Sequence, residues 1–228
     1  MMFSESYENR FYENLMKLVP RFQPRSSGIV IVNKHKLTAE DCDCRLCPDR
    51  RRGKCIHKHC PCFGERLGVG SVSVRELMFE TLYEIRDVMF QRRLLEMIDE
   101  RSKDGMVFLN EAHESRFTEA IEMKDQTDRK LMATLFLLTA NARLWHCTRF
   151  FISGNSLDFD RMRPTGLNEL GYTVFCAAKD LYTGSKHFSV SDLADRDLIS
   201  PKQFSLICFA MAIRRFGLDA LKTKEALK

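Results

Sequence analysis

From Ser73 onward, apolar positions recur at steps of three and four, the period of helices that bury one face. Ser73-Val-Arg-Glu76 reads as a capping box. The helix it opens is expected to run to about Glu100, with apolar residues at 74, 77, 78, 82, 85, 88, 89, 94, 95 and 98 and with Arg92-Arg93 on its solvated side. Ser102 to Gly105 breaks the pattern. Asn110 then caps a helix of about Glu111 to Met123. Asp128 caps another from Arg129 to about Arg143, with a long apolar run from Leu131 to Leu138. Trp145, Phe150, Phe151 and Ile152 extend the core, and Gly154-Asn155-Ser156 is a turn. Leu157 to Asp160 alternates, as a strand or a single turn would. Asn168 to Tyr182 is helical and stopped by Gly184, and a short helical turn covers Val190 to Ala194. Ser200-Pro201 opens the last strong helix, which reaches Arg215 with Gly217 just past its end. Leu218 to Lys228 begins as helix and then frays.

The front of the chain reads differently. Tyr7 to Leu18 has helical spacing, with Ser4 as its cap and Pro20 as its stop. Ile29-Val-Ile-Val32 is a short β-branched run, expected as a buried strand. Phe63 to Ser71 carries three glycines and reads as a flexible joint; no strand precedes it and no Lys-Ser/Thr follows, so it is not a phosphate loop. The expected fold is mainly α. Residues 1–70 form a small cysteine-rich module with a short strand, 71–104 a long linking helix, and 105–228 a helical domain.

Between them, Cys42 to Cys62 holds six of the nine cysteines and two of the six histidines. Cys42, Cys44 and Cys47 form C-x-C-x2-C, and Cys55, Cys60 and Cys62 form C-x4-C-x-C, roughly the first spacing run backwards. This stretch has too few large apolar side chains to make a core, and a soft metal held by thiolates would give it shape. Structural zinc takes four ligands. One ion would leave thiolates over. Two would share bridging thiolates, or be completed by His57 and His59. The expectation is one or two structural zinc ions on these eight residues. Disulfides would need an oxidising compartment, the spacing is not that of a ferredoxin cluster, and a cysteine-rich loop without metal is the bland alternative.

Composition modifies this picture in two ways. No apolar run approaches the ~20 residues of a membrane span, and the first ten residues lack an apolar targeting core, so a cytoplasmic protein is expected. Cys147, Cys176 and Cys208 lie in apolar surroundings and read as core thiols. The net charge of +5 is concentrated in residues 34–66, which carry nine basic and five acidic groups. Four thiolates with one zinc, or six with two, would lower that local excess of four by two. What remains is carried by the turn Arg50-Arg51-Arg52-Gly53-Lys54 between the two cysteine groups.

No familiar catalytic constellation is present among metalloprotease, hydrolase, nucleotide-binding or dinucleotide fingerprints. Asp158 and Asp160 could pair as acids but are more simply solvated. His113, between Glu111 and Glu114, reads as structural, and His146-Cys147 are neighbours only in sequence. Arg143, Arg149, Arg161 and Arg163 lie near Trp145, Phe150 and Phe151. Arginine beside aromatics suits unpaired nucleic acid, since bases stack and phosphates pair; the plainer reading is arginines rimming buried aromatics.

Four segments, Gly28 to His35, Cys42 to Cys47, Gly171 to Tyr182 and Ala212 to Gly217, together resemble a family of uncharacterised cysteine-rich proteins. These are encoded on conjugative and integrative mobile elements of Gram-positive anaerobic bacteria. The resemblance implies a bacterial, cytoplasmic accessory protein and assigns no residue a role. Proteins of that setting bind the element's DNA or interfere with host defence, including CRISPR nucleases.

The expectation is therefore a non-enzymatic zinc-binding protein that contacts nucleic acid, or a nucleic-acid-binding protein, through Arg50, Arg51, Arg52 and Lys54, with Arg149, Arg161 and Arg163 as a second contact. The alternatives are a protein-protein inhibitor or adaptor acting on a host defence nuclease, and a metal-dependent nuclease using the Asp158–Asp160 region.

Overall fold

In the computed structural model, residues 62–225 are described continuously, and Leu15, Leu18–Pro20, Thr38, Cys42, Cys47 and Cys60 individually. The chain divides into two compact units, Met1–Lys36 and Leu37–Lys228. In the first, Leu15 is helical and the Leu18 N–H donates to its carbonyl at 3.1 Å, a turn that runs into Pro20. The cap at Ser4 and the strand Ile29–Val32 lie outside the described residues.

The second unit is mostly helical. Its described elements are α1 (Phe63–Gly68), α2 (Val74–Leu82), α3 (Val88–Asp104), α4 (Glu111–Ile121), α5 (Arg129–Leu138), α6 (Ala142–Thr148), a 3-10 turn (Arg149–Phe151), β1 (Ile152–Ser153), β2 (Ser156–Leu157), α7 (Glu169–Thr183), α8 (Val190–Ala194), α9 (Pro201–Phe216) and a second 3-10 turn (Gly217–Leu221). The two strands pair antiparallel, Ile152 opposite Leu157 and Ser153 opposite Ser156, around Gly154 in the left-handed region. Among the described residues no helix is long and apolar enough to cross a membrane.

The core is organised on α5. Every residue from Leu131 to Ala140 is buried, because α5 is apolar on all sides and packs against α4, α6, α7 and α9. Its polar members are satisfied locally: the Thr134 hydroxyl donates to Lys130 O and that of Thr139 to Leu135 O. α9 crosses from α5 to α2, and α8 lies on α3. Phe90 of α3 meets Phe204 of α9 edge-on at 5.3 Å, and Phe63 of α1 meets Phe216 at 5.1 Å. Helices 63–104 thus share one core with those after Gly105.

The caps follow the sequence. Ser73, Asn110, Asp128, Asn168 and Ser200 each accept a backbone N–H of the first turn, and Gly105 and Gly184 end α3 and α7 in the left-handed region. Four expectations are corrected. The helix from Ser73 breaks at Tyr83–Asp87, because Asp87 accepts the Phe90 N–H and starts a new helix, α3. That break re-phases the stripe. Phe90, Leu94, Met97 and Ile98 turn inward, while Val88, Met89 and Leu95 face solvent. The helix from Arg129 ends at Leu138, since Asn141 accepts the N–H groups of Arg143 and Leu144 and opens α6. Phe63–Gly68 is helical rather than a loop, held by its buried Phe63, Arg66 and Leu67. The tail does not fray before Glu225: the Lys224 N–H donates to Val72 O at 2.9 Å, and the Glu225 carboxylate accepts the Val74 N–H at 3.0 Å, at the start of α2.

Candidate functional site

The second cysteine group runs directly into the helical core. Cys60 O accepts the Phe63 N–H and Cys62 O accepts the Arg66 N–H, each at 3.0 Å, so both cysteines are tied to the first turn of α1. Arg66 is in turn held by Glu76, 2.6 Å away. Burial pushes the Glu76 carboxyl up, but the Ser73 N–H and the Arg66 guanidinium together hold it below the usual carboxylate range. The Cys62 thiol is pushed up to about 11 by partial burial, by Glu65 and by the neighbouring sulfurs of Cys60 and Cys47. Cys47, Cys60 and Cys62 are in no disulfide. Among the described residues, no three His, Cys, Asp or Glu side chains are drawn into a ligand shell. Cys44, Cys55, His57, His59 and the turn Arg50–Lys54 lie outside the described residues.

The second candidate is a ledge built from α6, the 3-10 turn, the hairpin and the loop 158–166. The Asp158 N–H donates to Phe151 O at 3.1 Å, which brings the loop back beside the 3-10 turn. Cys147 Sγ lies 4.0 Å from Thr165 O, and the Arg143 guanidinium packs on Gly166, which has a φ of 68° and no room for a Cβ. Along this loop Leu157, Phe159 and Met162 are buried while Asp158, Asp160, Arg161 and Arg163 face out. The alternation is real and anchors the loop by its apolar members.

The arginines of the ledge differ in what holds them. Arg163 donates to Asp160 O at 2.6 Å and to Met162 O at 3.1 Å, bracing the loop. Arg161 is 3.9 Å from the Asp158 carboxylate and its side chain is 77% exposed. Arg149 lies over the Phe150 ring at 4.7 Å, and His146 meets that ring edge-on at 6.1 Å. Phe150 is 72% exposed, whereas Phe151 and Trp145 are partly buried against the core. The sequence reading of these aromatics is thus divided: Phe150 belongs to the surface, its two companions to the core.

Elsewhere, residues that looked chemical serve the fold. His113 is fully buried, and its ring bridges the Leu109 N–H at 3.2 Å and Phe136 O at 2.8 Å. Asp158 accepts the Arg161 N–H and faces that guanidinium. Cys176 and Cys208 are buried and Cys147 partly so; burial pushes the Cys176 and Cys208 thiols up.

Two polar constellations have no counterpart in the sequence reading. Arg93, assigned to a solvated face, is 4% exposed. It donates to the carbonyls of Leu193 at 2.8 Å, Asp195 at 2.7 Å and Ile199, and stacks over Phe204. A signal existed: Arg93 stands between Phe90 and Met97 on the inward stripe of α3. The second is Asp180, at the end of α7. Its carboxylate accepts from the Ser185 hydroxyl at 2.8 Å, from His187 Nδ1 at 2.6 Å, and from the N–H groups of His187 and Phe188. The serine reaches the same ring nitrogen as the aspartate, so Nε2 is not aimed at it and the trio is not a nucleophilic triad. It staples the loop leaving α7. No periodicity signals such a contact across seven residues.

No protein-family model matches this chain, and no curated protein or solved structure matches it either.

Proposed function

We propose that the protein is a non-enzymatic binding protein, its front segment stapled by zinc, that contacts nucleic acid or a surface carrying nucleic acid. Arg149 and Arg161 of the ledge, on the loop that Arg163 braces, and Arg50, Arg51, Arg52 and Lys54 of the cysteine turn supply the phosphate contacts. The observation that carries this reading is the ledge itself. Between Asn141 and Gly166 the chain carries four arginines against two aspartates, Asp158 and Asp160, and an exposed phenyl ring on a braced turn. Cation and aromatic face side by side suit a phosphate backbone with its bases better than they suit a hydrophobic partner.

The metal reading rests on donor chemistry. Thiolates and imidazoles are the ligands zinc takes in closed structural sites. Zinc there would supply shape rather than chemistry, held by a subset of Cys42, Cys44, Cys47, Cys55, Cys60, Cys62, His57 and His59. Such a protein suits an accessory role on a mobile element.

A second reading is favoured by one observation. Val88 and Met89 are 73% and 54% exposed at the start of α3, with Leu95 further along it. A protein inhibitor or adaptor acting on a host defence nuclease would dock such a patch.

Fluorescence anisotropy of labelled oligonucleotides against salt separates the two. Binding is expected to weaken steeply from 50 to 300 mM salt. The double change Arg149→Ala with Arg161→Ala should lower the log–log slope by about one to two, and Arg50→Ala with Arg51→Ala and Arg52→Ala by about three more. No retention at low salt, with a stoichiometric protein complex that survives nuclease treatment, would favour the inhibitor.

A further inference from the structure

We infer that the nucleic acid this protein takes is single-stranded, and that Phe150 is the platform on which one unpaired base stacks. The inference rests on the nucleic-acid reading above and narrows it to a substrate class.

A duplex hides the faces of its bases in its own stack, so a lone aromatic ring on a protein surface finds no partner along it. A single strand offers a face at every nucleotide. Phe150 is placed for such a partner. Its backbone belongs to the 3-10 turn Arg149–Phe151, fixed on one side by α6 and on the other by the Asp158–Phe151 hydrogen bond at the base of the hairpin. The ring is thus presented by anchored backbone rather than by a loose loop. Arg149 covers one face at 4.7 Å, and His146 stands at the edge. With 72% of the residue exposed, the second face is left to solvent. A base laid there would continue a stack of guanidinium, phenyl ring and base.

The charges around the ring agree. From Asn141 to Gly166 the chain carries four arginines against two aspartates. Arg143 and Arg163 are committed to bracing the loop, on Gly166 and on the carbonyls of Asp160 and Met162. Arg149 and Arg161 therefore remain as the cations of this segment that meet phosphates of the bound strand. A large apolar partner would instead ask for neighbouring apolar surface, and Phe150 is bordered by Arg149 and His146.

The test uses the full-length protein, a labelled 12-nucleotide oligothymidylate, and a blunt mixed-sequence duplex at the same salt. The wild type should prefer the single strand. Phe150→Ala should weaken single-strand binding about tenfold or more while leaving the duplex affinity and the salt slope unchanged, because no phosphate contact is lost. Phe150→Trp should restore or exceed the wild-type affinity. Circular dichroism should show the same melting curve for all three, as expected of an exposed side chain. Equal binding of both strands with Phe150→Ala silent would overturn the stacking platform and leave the nucleic-acid reading intact. Absence of binding to either strand at low salt would overturn both.

Discussion

His113 shows how a single side chain can be chemically capable and yet wholly structural. The Leu109 N–H donates to its Nδ1, so the proton sits on Nε2 and is given to Phe136 O. Phe108 and Phe136 pack against this neutral ring, and Phe117 packs against both of them. Burial depresses its pKa to about 4, with the Phe136 carbonyl pulling the other way and Arg116 adding to the depression. In the unfolded chain a histidine titrates near 6.5. Between those values the unfolded state binds a proton that the folded state refuses. Stability from this group is complete above about pH 6.5 and is lost as pH falls toward 4. The loss reaches about 2 kcal/mol by pH 5. Urea midpoints at pH 7.5 and pH 5.0 check this. The wild type should drop, and His113→Gln, less stable at neutral pH, should show a smaller dependence. A wild-type midpoint that does not move over that range would contradict the neutral, buried ring.

Among the elements, α3 carries the most unusual arrangement. A guanidinium lies at the centre of its inward face and, among the described residues, bonds to backbone carbonyls rather than to a carboxylate. Arg93 works because the end of α8 and the chain from it to α9 turn three carbonyls toward it, those of Leu193, Asp195 and Ile199, and Phe204 lies under its plane. Five fixed donors can satisfy several acceptors at once. An apolar residue of similar length would leave those carbonyls buried and unmatched, at about 1–3 kcal/mol for each left without a partner. Arg93→Met should therefore destabilise by about 3 kcal/mol or more, and Arg93→Lys by less, since an ammonium can reach some of the carbonyls. Hydrogen exchange should place the first opening at the α8–α9 connection. If Arg93→Met melts with the wild type, the staple contributes nothing.

Taken whole, the described molecule is a helical body on α5 with a cysteine segment leading into it through α1. The body has its own apolar core and should not depend on metal; the cysteine segment should. Elemental analysis of purified protein should give one or two equivalents of zinc. A zinc chelator should expose the chain between residues 38 and 62 to protease while the fragment from α1 onward resists digestion. Absence of co-purifying metal would remove the zinc staple. Collapse of the whole chain on chelation would show that body and segment are not energetically separate.

Much of this architecture was legible before any coordinates. Capping residues and helix-ending glycines act within a few residues of themselves, so Ser73, Asn110, Asp128, Ser200, Gly105 and Gly184 mark boundaries that local geometry enforces. The uninterrupted apolar run of α5 marks the centre of the core for a similar reason: no other burial would hide all its sides. Periodicity was a poorer guide where two competent caps lay inside one stripe. Asp87 and Asn141 each divide what reads as a single helix, and the re-phasing after Asp87 exposes Val88 and Met89 while burying Arg93. The ledge was legible as a composition of arginines and aromatics, but which ring faces water was not, because Phe150 and Phe151 are neighbours of identical type. Contacts between residues distant along the chain separate them, as they position Arg93 among carbonyls a hundred residues away and bring Glu225 to the start of α2. Local chemistry writes the elements and their ends; packing between remote segments chooses which side chains are left to meet a partner.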